Sequence, residues 1–209
     1  MSVKKPDRKR KGSYERHDPL YFAAKKQGYA ARSVFKLDEI DRDFKLLKSS
    51  DVVLDLGCSP GSWVQFTADK IGPKGMIVGV DLLPIKIVPT CPFHFVQADI
   101  FEVQPETLVA GIAPAKMFDV LLSDMAPNTS GIKSVDQDRS LVLCEHALEI
   151  ARQVVRPGGR FCVKILEGGG MQNFIKECRT TFEEVKIRTP QGTRTASMET
   201  YVIGLRKKR

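Results

Sequence analysis

The 209-residue chain has no Gly-x-Gly-x-x-Gly, no Cys-x-x-Cys and no apolar run near the ~18 residues of a membrane span. Each absence removes a class of function. Without the glycine fingerprint, a dinucleotide-dependent oxidoreductase is disfavoured. The five cysteines (Cys58, Cys91, Cys144, Cys162, Cys178) are odd in number and scattered, and His17, His94 and His146 do not fall at zinc-ligand spacing. Reduced, buried thiols in a cytoplasmic protein are therefore expected, with no metal and no membrane partner. The N-terminal stretch has no apolar core of a signal peptide, and its Lys and Arg lack the amphipathic pattern of a mitochondrial presequence. There is no internal repeat and no sign of a second core, and nothing demands more than a monomer. A chain of this length buries a sizeable core in one domain without a staple.

What is present is unevenly placed. Residues 1–36 hold eleven Lys and Arg against three acids, an excess of +8 that equals the formal net charge of the whole chain. A neutral body with a basic N-terminal arm points to a polyanionic partner held beside the domain. Lys4, Lys5, Lys9, Arg10, Lys11, Lys25, Lys26 and Arg32 are the candidate phosphate contacts. For the first dozen residues, a solvated tail explains the charge equally well. The expected division is an arm over 1–19 and a domain over 20–209, with 20–47 a helical extension.

The rest reads as alternating strands and helices. Val34, Leu37, Ile40 and Phe44 recur at helical spacing within a stretch from 32 to about 47, and a shorter helix is expected over 21–27. Strand-like runs fall at 52–56, 76–81, 93–97, 118–123 and 160–166. A helix from Leu141 through Val155 stops at Arg156-Pro157-Gly158-Gly159, and another lies near 170–180. Two further strands, about 183–188 and 200–206, flank the Pro190–Ser197 loop and form an antiparallel hairpin at the end of the order. This alternation predicts an α/β fold: a mostly parallel sheet of seven strands covered by helices on both faces.

Chemistry-bearing residues fall where those strands end, which in open α/β sheets is the ligand edge. Gly57, Pro60, Gly61 and Trp63 follow the first strand, Asp81 and Leu82 the second, Asp99 the third and Asp124 the fourth. The glycines let backbone approach a ligand that a Cβ would block, and Asp81 can accept hydrogen bonds from a ribose diol. Together they suggest an adenosine-containing cofactor, S-adenosylmethionine first. Any one of these aspartates is also an ordinary turn or cap residue, and Trp63 an ordinary core side chain. Lys164 is the sharpest anomaly, an amine inside Phe161-Cys162-Val163-Lys164-Ile165-Leu166. It either snorkels from an exposed face or is buried among partners. Glu199 likewise can be an edge-strand charge.

Lys36 in Ser33-Val34-Phe35-Lys36-Leu37, Asp124 in Ser123-Asp124-Met125-Ala126-Pro127-Asn128, Lys164 after Val163, and Glu199 before Tyr201 resemble the Lys-Asp-Lys-Glu tetrad of the FtsJ/RrmJ ribose 2′-O-methyltransferases. The loop Asp55–Trp63 and the segment Asp81-Leu82-Leu83-Pro84 resemble that family's cofactor motifs, from about Tyr21 to Arg206 in all. Ser62 departs from the pattern, standing where many members have a second glycine. The resemblance implies a Rossmann-like class I methyltransferase with one antiparallel strand. It also implies S-adenosylmethionine as methyl donor, no metal, and a ribose 2′-hydroxyl of RNA as acceptor. The bacterial branch that modifies a uridine of 23S ribosomal RNA in the large subunit is nearest; relatives acting on tRNA anticodon loops or mRNA caps share the tetrad. In these terms Lys164 is the general base. Asp124 holds Lys164 and the methyl group in register, and Glu199 positions Lys36 or the ribose. A non-catalytic RNA-binding assembly factor on the same fold is the alternative of another class.

Overall fold

The computed structural model describes residues 18–191 and 198–209. Seven strands form one sheet: β1 (Val52–Leu56), β2 (Met76–Asp81), β3 (Phe93–Gln97), β4 (Phe118–Ser123), β5 (Val155–Leu166), β6 (Phe182–Arg188) and β7 (Glu199–Lys207). Their spatial order is β3-β2-β1-β4-β5-β7-β6. β7 is antiparallel to both β5 and β6, while the other pairings are parallel. The expected antiparallel hairpin is present at the end of the order, with β7 beside β5 and β6 at the edge.

Helices α1 (Pro19–Lys26), α2 (Val34–Phe44) and α3 (Ser62–Ile71) cover one face. Helices α4 (Pro105–Ala110), α5 (Lys133–Val154) and α6 (Met171–Thr181) cover the other. Strand alternation divides the core accordingly. Leu54, Leu121, Phe161 and Val163 face α4–α6, whereas Val53, Val120, Leu122 and Cys162 face α1–α3.

Some boundaries differ from the sequence expectation. α2 stops at Phe44 because Lys45 turns left-handed (φ 51°), and the next apolar pair, Leu46 and Leu47, enters the core from outside the helix. α5 begins at Lys133, eight residues before the apolar stripe from Leu141, with Asp136 in its first turn. Arg156–Gly159 forms an irregular opening of β5. Phe118 pairs with Val155 and Val120 with Arg160, so β5 loops out there around Gly158 at φ 75°.

All five cysteines are free and buried. Burial pushes the Cys178 thiol up to about 12 and the Cys58, Cys144 and Cys162 thiols higher still. Among the described residues no helix is long and apolar enough to cross a membrane.

Candidate active site

From β1 the chain builds outward to β2 and β3, then returns to add β4 and β5 on the other side. The crevice at this reversal, between the carboxyl ends of β1 and β4, is where open α/β sheets bind ligands. A cavity of about 830 Å³ opens there, with Gly57 and Ser59 on one side and the Asp124–Asn128 loop on the other. Asp81, Leu82, Asp99 and Phe101 complete its wall beyond β2 and β3.

Gly57 (φ 76°) and Gly61 (φ 111°) take backbone conformations that other residues rarely adopt. A Cβ on Gly57 would lie 2.5 Å from Met125 Cγ, and one on Gly61 2.5 Å from Ile87 Cγ1. The loop's glycines thus answer to its own conformation and to protein neighbours, rather than only to a ligand.

Five of the expected cofactor contacts, Gly57, Asp81, Leu82, Asp99 and Asp124, line the cavity; Pro60, Gly61 and Trp63 do not. Trp63 is buried, donates its indole N–H to the Ser33 carbonyl (3.0 Å) and stacks on Tyr201 at 5.9 Å between ring centroids. Asp81 shapes the loop as it faces the cavity. Its Oδ2 accepts the Ser59 N–H and its Oδ1 the Leu83 N–H, each at 2.8 Å. Asp99 accepts the Phe101 N–H at 3.1 Å.

Lys36, Lys164 and Glu199 are not among the residues lining the cavity, but Lys164 is tied to its wall through Asp124. Lys164 is directly opposite Tyr201 in the β5–β7 register, so both side chains leave the sheet on the α1–α3 face. At 7 % exposure Lys164 does not snorkel. Its Nζ donates to the Asp124 carbonyl (2.7 Å) and pairs with Asp124 Oδ1 (3.1 Å). The Tyr201 hydroxyl donates to the same carboxylate oxygen at 2.8 Å. Burial, then the Asp124 charge, pushes the Tyr201 phenol well above its ordinary range. Glu199, two residues along β7 and on the same face, forms an ion pair with Lys36 of α2. α2 is gripped further along by Glu39. Its Oε1 lies 2.7 Å from Arg188 Nη2 and its Oε2 accepts the Gln191 N–H at 3.0 Å.

Asp55, at the end of β1, is 1 % exposed, and neither of its carboxylate oxygens has a hydrogen-bond partner among the described residues. Burial raises its carboxyl well above the usual carboxylate range, and Asp124 and Asp81 add to the effect. An unpartnered carboxyl behind a wall carrying Asp81, Asp99 and Asp124, with Leu82 and Phe101 for a flat apolar group, fits an adenosine that bears a positive charge.

Of the expected RNA contacts, Lys25 and Lys26 are exposed, whereas Arg32 is paired with Asp18 at 3.0 Å. Lys4, Lys5, Lys9, Arg10 and Lys11 lie outside the described residues. Sequence reasoning passed over Tyr201, Asp55 as an orphan, and Arg139, which lines the cavity and donates to the Asn128 carbonyl at 2.9 Å. Tyr201 looked like any inward aromatic of a strand; only its place opposite a lysine marks it out.

The model of one family, FtsJ-like methyltransferase, matches residues 29–207. A protein of Desulfatibacillum aliphaticivorans named ribosomal RNA large subunit methyltransferase E is 44% identical over 200 residues, covering 96% of this chain and 95% of its own. The protein of that name from Myxococcus xanthus is 43% identical over 199 residues, covering 93% and 91%. Among solved structures, a ribosomal RNA methyltransferase of Plasmodium falciparum superposes with a TM-score of 0.76 at 26% identity, covering 86% of this chain and 98% of that one.

Proposed function

Because the chain belongs to the FtsJ-like methyltransferase family, we propose that it methylates a ribose 2′-hydroxyl, at a uridine of 23S RNA in the large ribosomal subunit. The observation carrying this reading is the buried Lys164–Asp124 pair at the side of a carboxylate-lined cavity, in a chain whose relatives are named large-subunit RNA methyltransferases. S-adenosylmethionine, when bound, supplies an electrophilic methyl group on a positively charged sulfur.

In this reading Asp81 and Asp99 accept hydrogen bonds from the cofactor's ribose and base, and Leu82 and Phe101 flank its flat ring. Asp55 and Asp124 favour its positive charge. Lys164, in its unprotonated amine form, takes the proton from the attacking 2′-hydroxyl. Asp124 fixes the Lys164 Nζ by carbonyl and carboxylate together, and Tyr201 in turn fixes Asp124. The Lys36–Glu199 pair orients the acceptor ribose, so that much of the rate comes from alignment. None of these roles requires a metal. Residues 1–19 act as a basic arm on RNA phosphates, and residues 20–209 act as a cytoplasmic, monomeric catalytic domain.

The test is transfer of a labelled methyl group from S-adenosylmethionine to large ribosomal subunits from cells lacking the protein, with ribose methylation mapped before and after. One new 2′-O-methyluridine in 23S RNA is expected. Label on tRNA or cap structures alone would redirect the substrate, and no RNA label would leave a non-catalytic scaffold.

A further inference from the structure

We propose that the outward face of α1 is a stacking platform for a single-stranded part of the substrate, with Tyr21 and Phe22 taking an unpaired base and Lys25 and Lys26 the phosphates beside it. The proposal rests on the RNA reading above. On a helix, residues four apart adjoin, so Tyr21 abuts Lys25 and Phe22 abuts Lys26. Aromatic and cationic side chains thus interleave on one face while Ala24 turns into the core. Tyr21 is 38 % and Phe22 53 % exposed, and their rings meet edge to face at 5.6 Å. A single exposed aromatic is ordinary. Two in contact, next to two lysines on a helix with no acidic residue of its own, form the combination that binds single strands: flat rings for bases, cations for phosphate.

The fold places this face beside the chemistry. Asp18 caps the start of α1 by accepting the Leu20 N–H (3.0 Å) and pairs with Arg32 (3.0 Å), which closes the α1–α2 connection on itself. Gln65 of α3 then holds the connection at both ends of its amide, donating to the Gly28 carbonyl (3.0 Å) and accepting the Ala30 N–H (2.8 Å). Trp63 holds the Ser33 carbonyl just beyond. These are residues of the first turn of α3, which starts immediately after the cavity loop. α1 therefore hangs at the carboxyl edge of the sheet, the edge that carries Lys36 and Lys164. Charge complementarity selects RNA over an apolar protein partner as occupant, since Lys25 and Lys26 would be desolvated without counter-charge under a protein.

Two full-length variants test this. Phe22→Leu keeps apolar bulk and helix propensity but removes the ring face. Binding of a short single-stranded RNA should weaken about tenfold, with S-adenosylmethionine affinity unchanged. Phe22→Trp places a fluorophore on the platform. Its emission should be open to acrylamide in the free protein and quenched when RNA binds. Unaltered RNA affinity in Phe22→Leu, or an introduced indole that ignores bound RNA, overturns the platform. So does an indole already shielded before RNA is added, because the N-terminal segment or another protein then covers the face. If these failures occur while the wild-type protein still binds and methylates RNA, the platform alone is lost. A wild-type protein that binds no RNA overturns the functional reading as well.

Discussion

The two ends of the sheet both bury charge, and they treat it differently. At the amino end, Arg160 and Asp51 pair at 2.8 Å, and neither side chain has a buried polar atom left without a hydrogen-bond partner. Arg160 also donates to the Leu46 carbonyl (2.6 Å), and the second oxygen of Asp51 accepts the Lys48 N–H (2.7 Å). Nearby, Asp119 takes the Val52 N–H (2.7 Å) and the Arg156 guanidinium (2.6 Å). At the carboxyl end, Asp55 has no hydrogen-bond partner among the described residues, and among them Lys164 bonds to a single residue, Asp124. Buried charge with complete hydrogen bonding is a scaffold. Buried charge left incomplete is held ready for something that arrives later.

The comparison can be broken at either end. Asp51→Ala would strand a buried guanidinium and is expected to cost about 3–5 kcal/mol, read as a drop in the denaturant midpoint, with methyl transfer per folded molecule retained. A loss under about 1 kcal/mol would mean that the amino end is not the scaffold described.

Lys164→Ala, at the other end, is expected to lower methyl transfer by roughly 10²–10⁴-fold, while S-adenosylmethionine affinity by calorimetry stays near wild type. Full turnover would remove Lys164 from the base role proposed for it.

The smallest effect sharpens the contrast most. The folded state raises the Asp55 carboxyl above its unfolded value. It therefore binds a proton that the unfolded chain has already released, and stability is lost as pH rises from about 4 through the raised value. Asp55→Asn, an amide that does not titrate, should flatten that loss and leave the variant more stable than the wild type at neutral pH, while weakening S-adenosylmethionine binding. A variant that is no more stable, with the same pH slope, would show that the orphan carboxyl carries no penalty.

Much of this was legible in the chain because it depends on short-range pattern. The apolar runs that became β1, β2 and β4 were placed at their observed bounds, since a strand buried on both faces reads as a near-continuous apolar run. β3, a partly exposed edge strand, was placed by its Phe-His-Phe-Val run. The residues just past their ends then had to share one edge. Lys36 and Glu199 entered the sequence reading through likeness to a family, because nothing in local spacing joins a helix before β1 to the start of β7. Trp63 was expected at the cofactor, with core packing as its ordinary alternative, and its ring packs on Tyr201; its position in the loop was visible in the sequence, but the direction of its ring was not.

The chain by itself determined the sheet, its ligand edge and the candidate charges on it, because periodicity, glycine conformation and the cost of burying an amine are all properties of neighbouring residues. The tertiary structure alone decided that β7 enters beside β5, bringing Tyr201 opposite Lys164 and Glu199 within reach of Lys36. It alone left Asp55 without a hydrogen-bond partner among the described residues. Hydrogen bonding between distant strands sets those neighbours, and whether a buried charge is satisfied depends on what the rest of the fold brings to it.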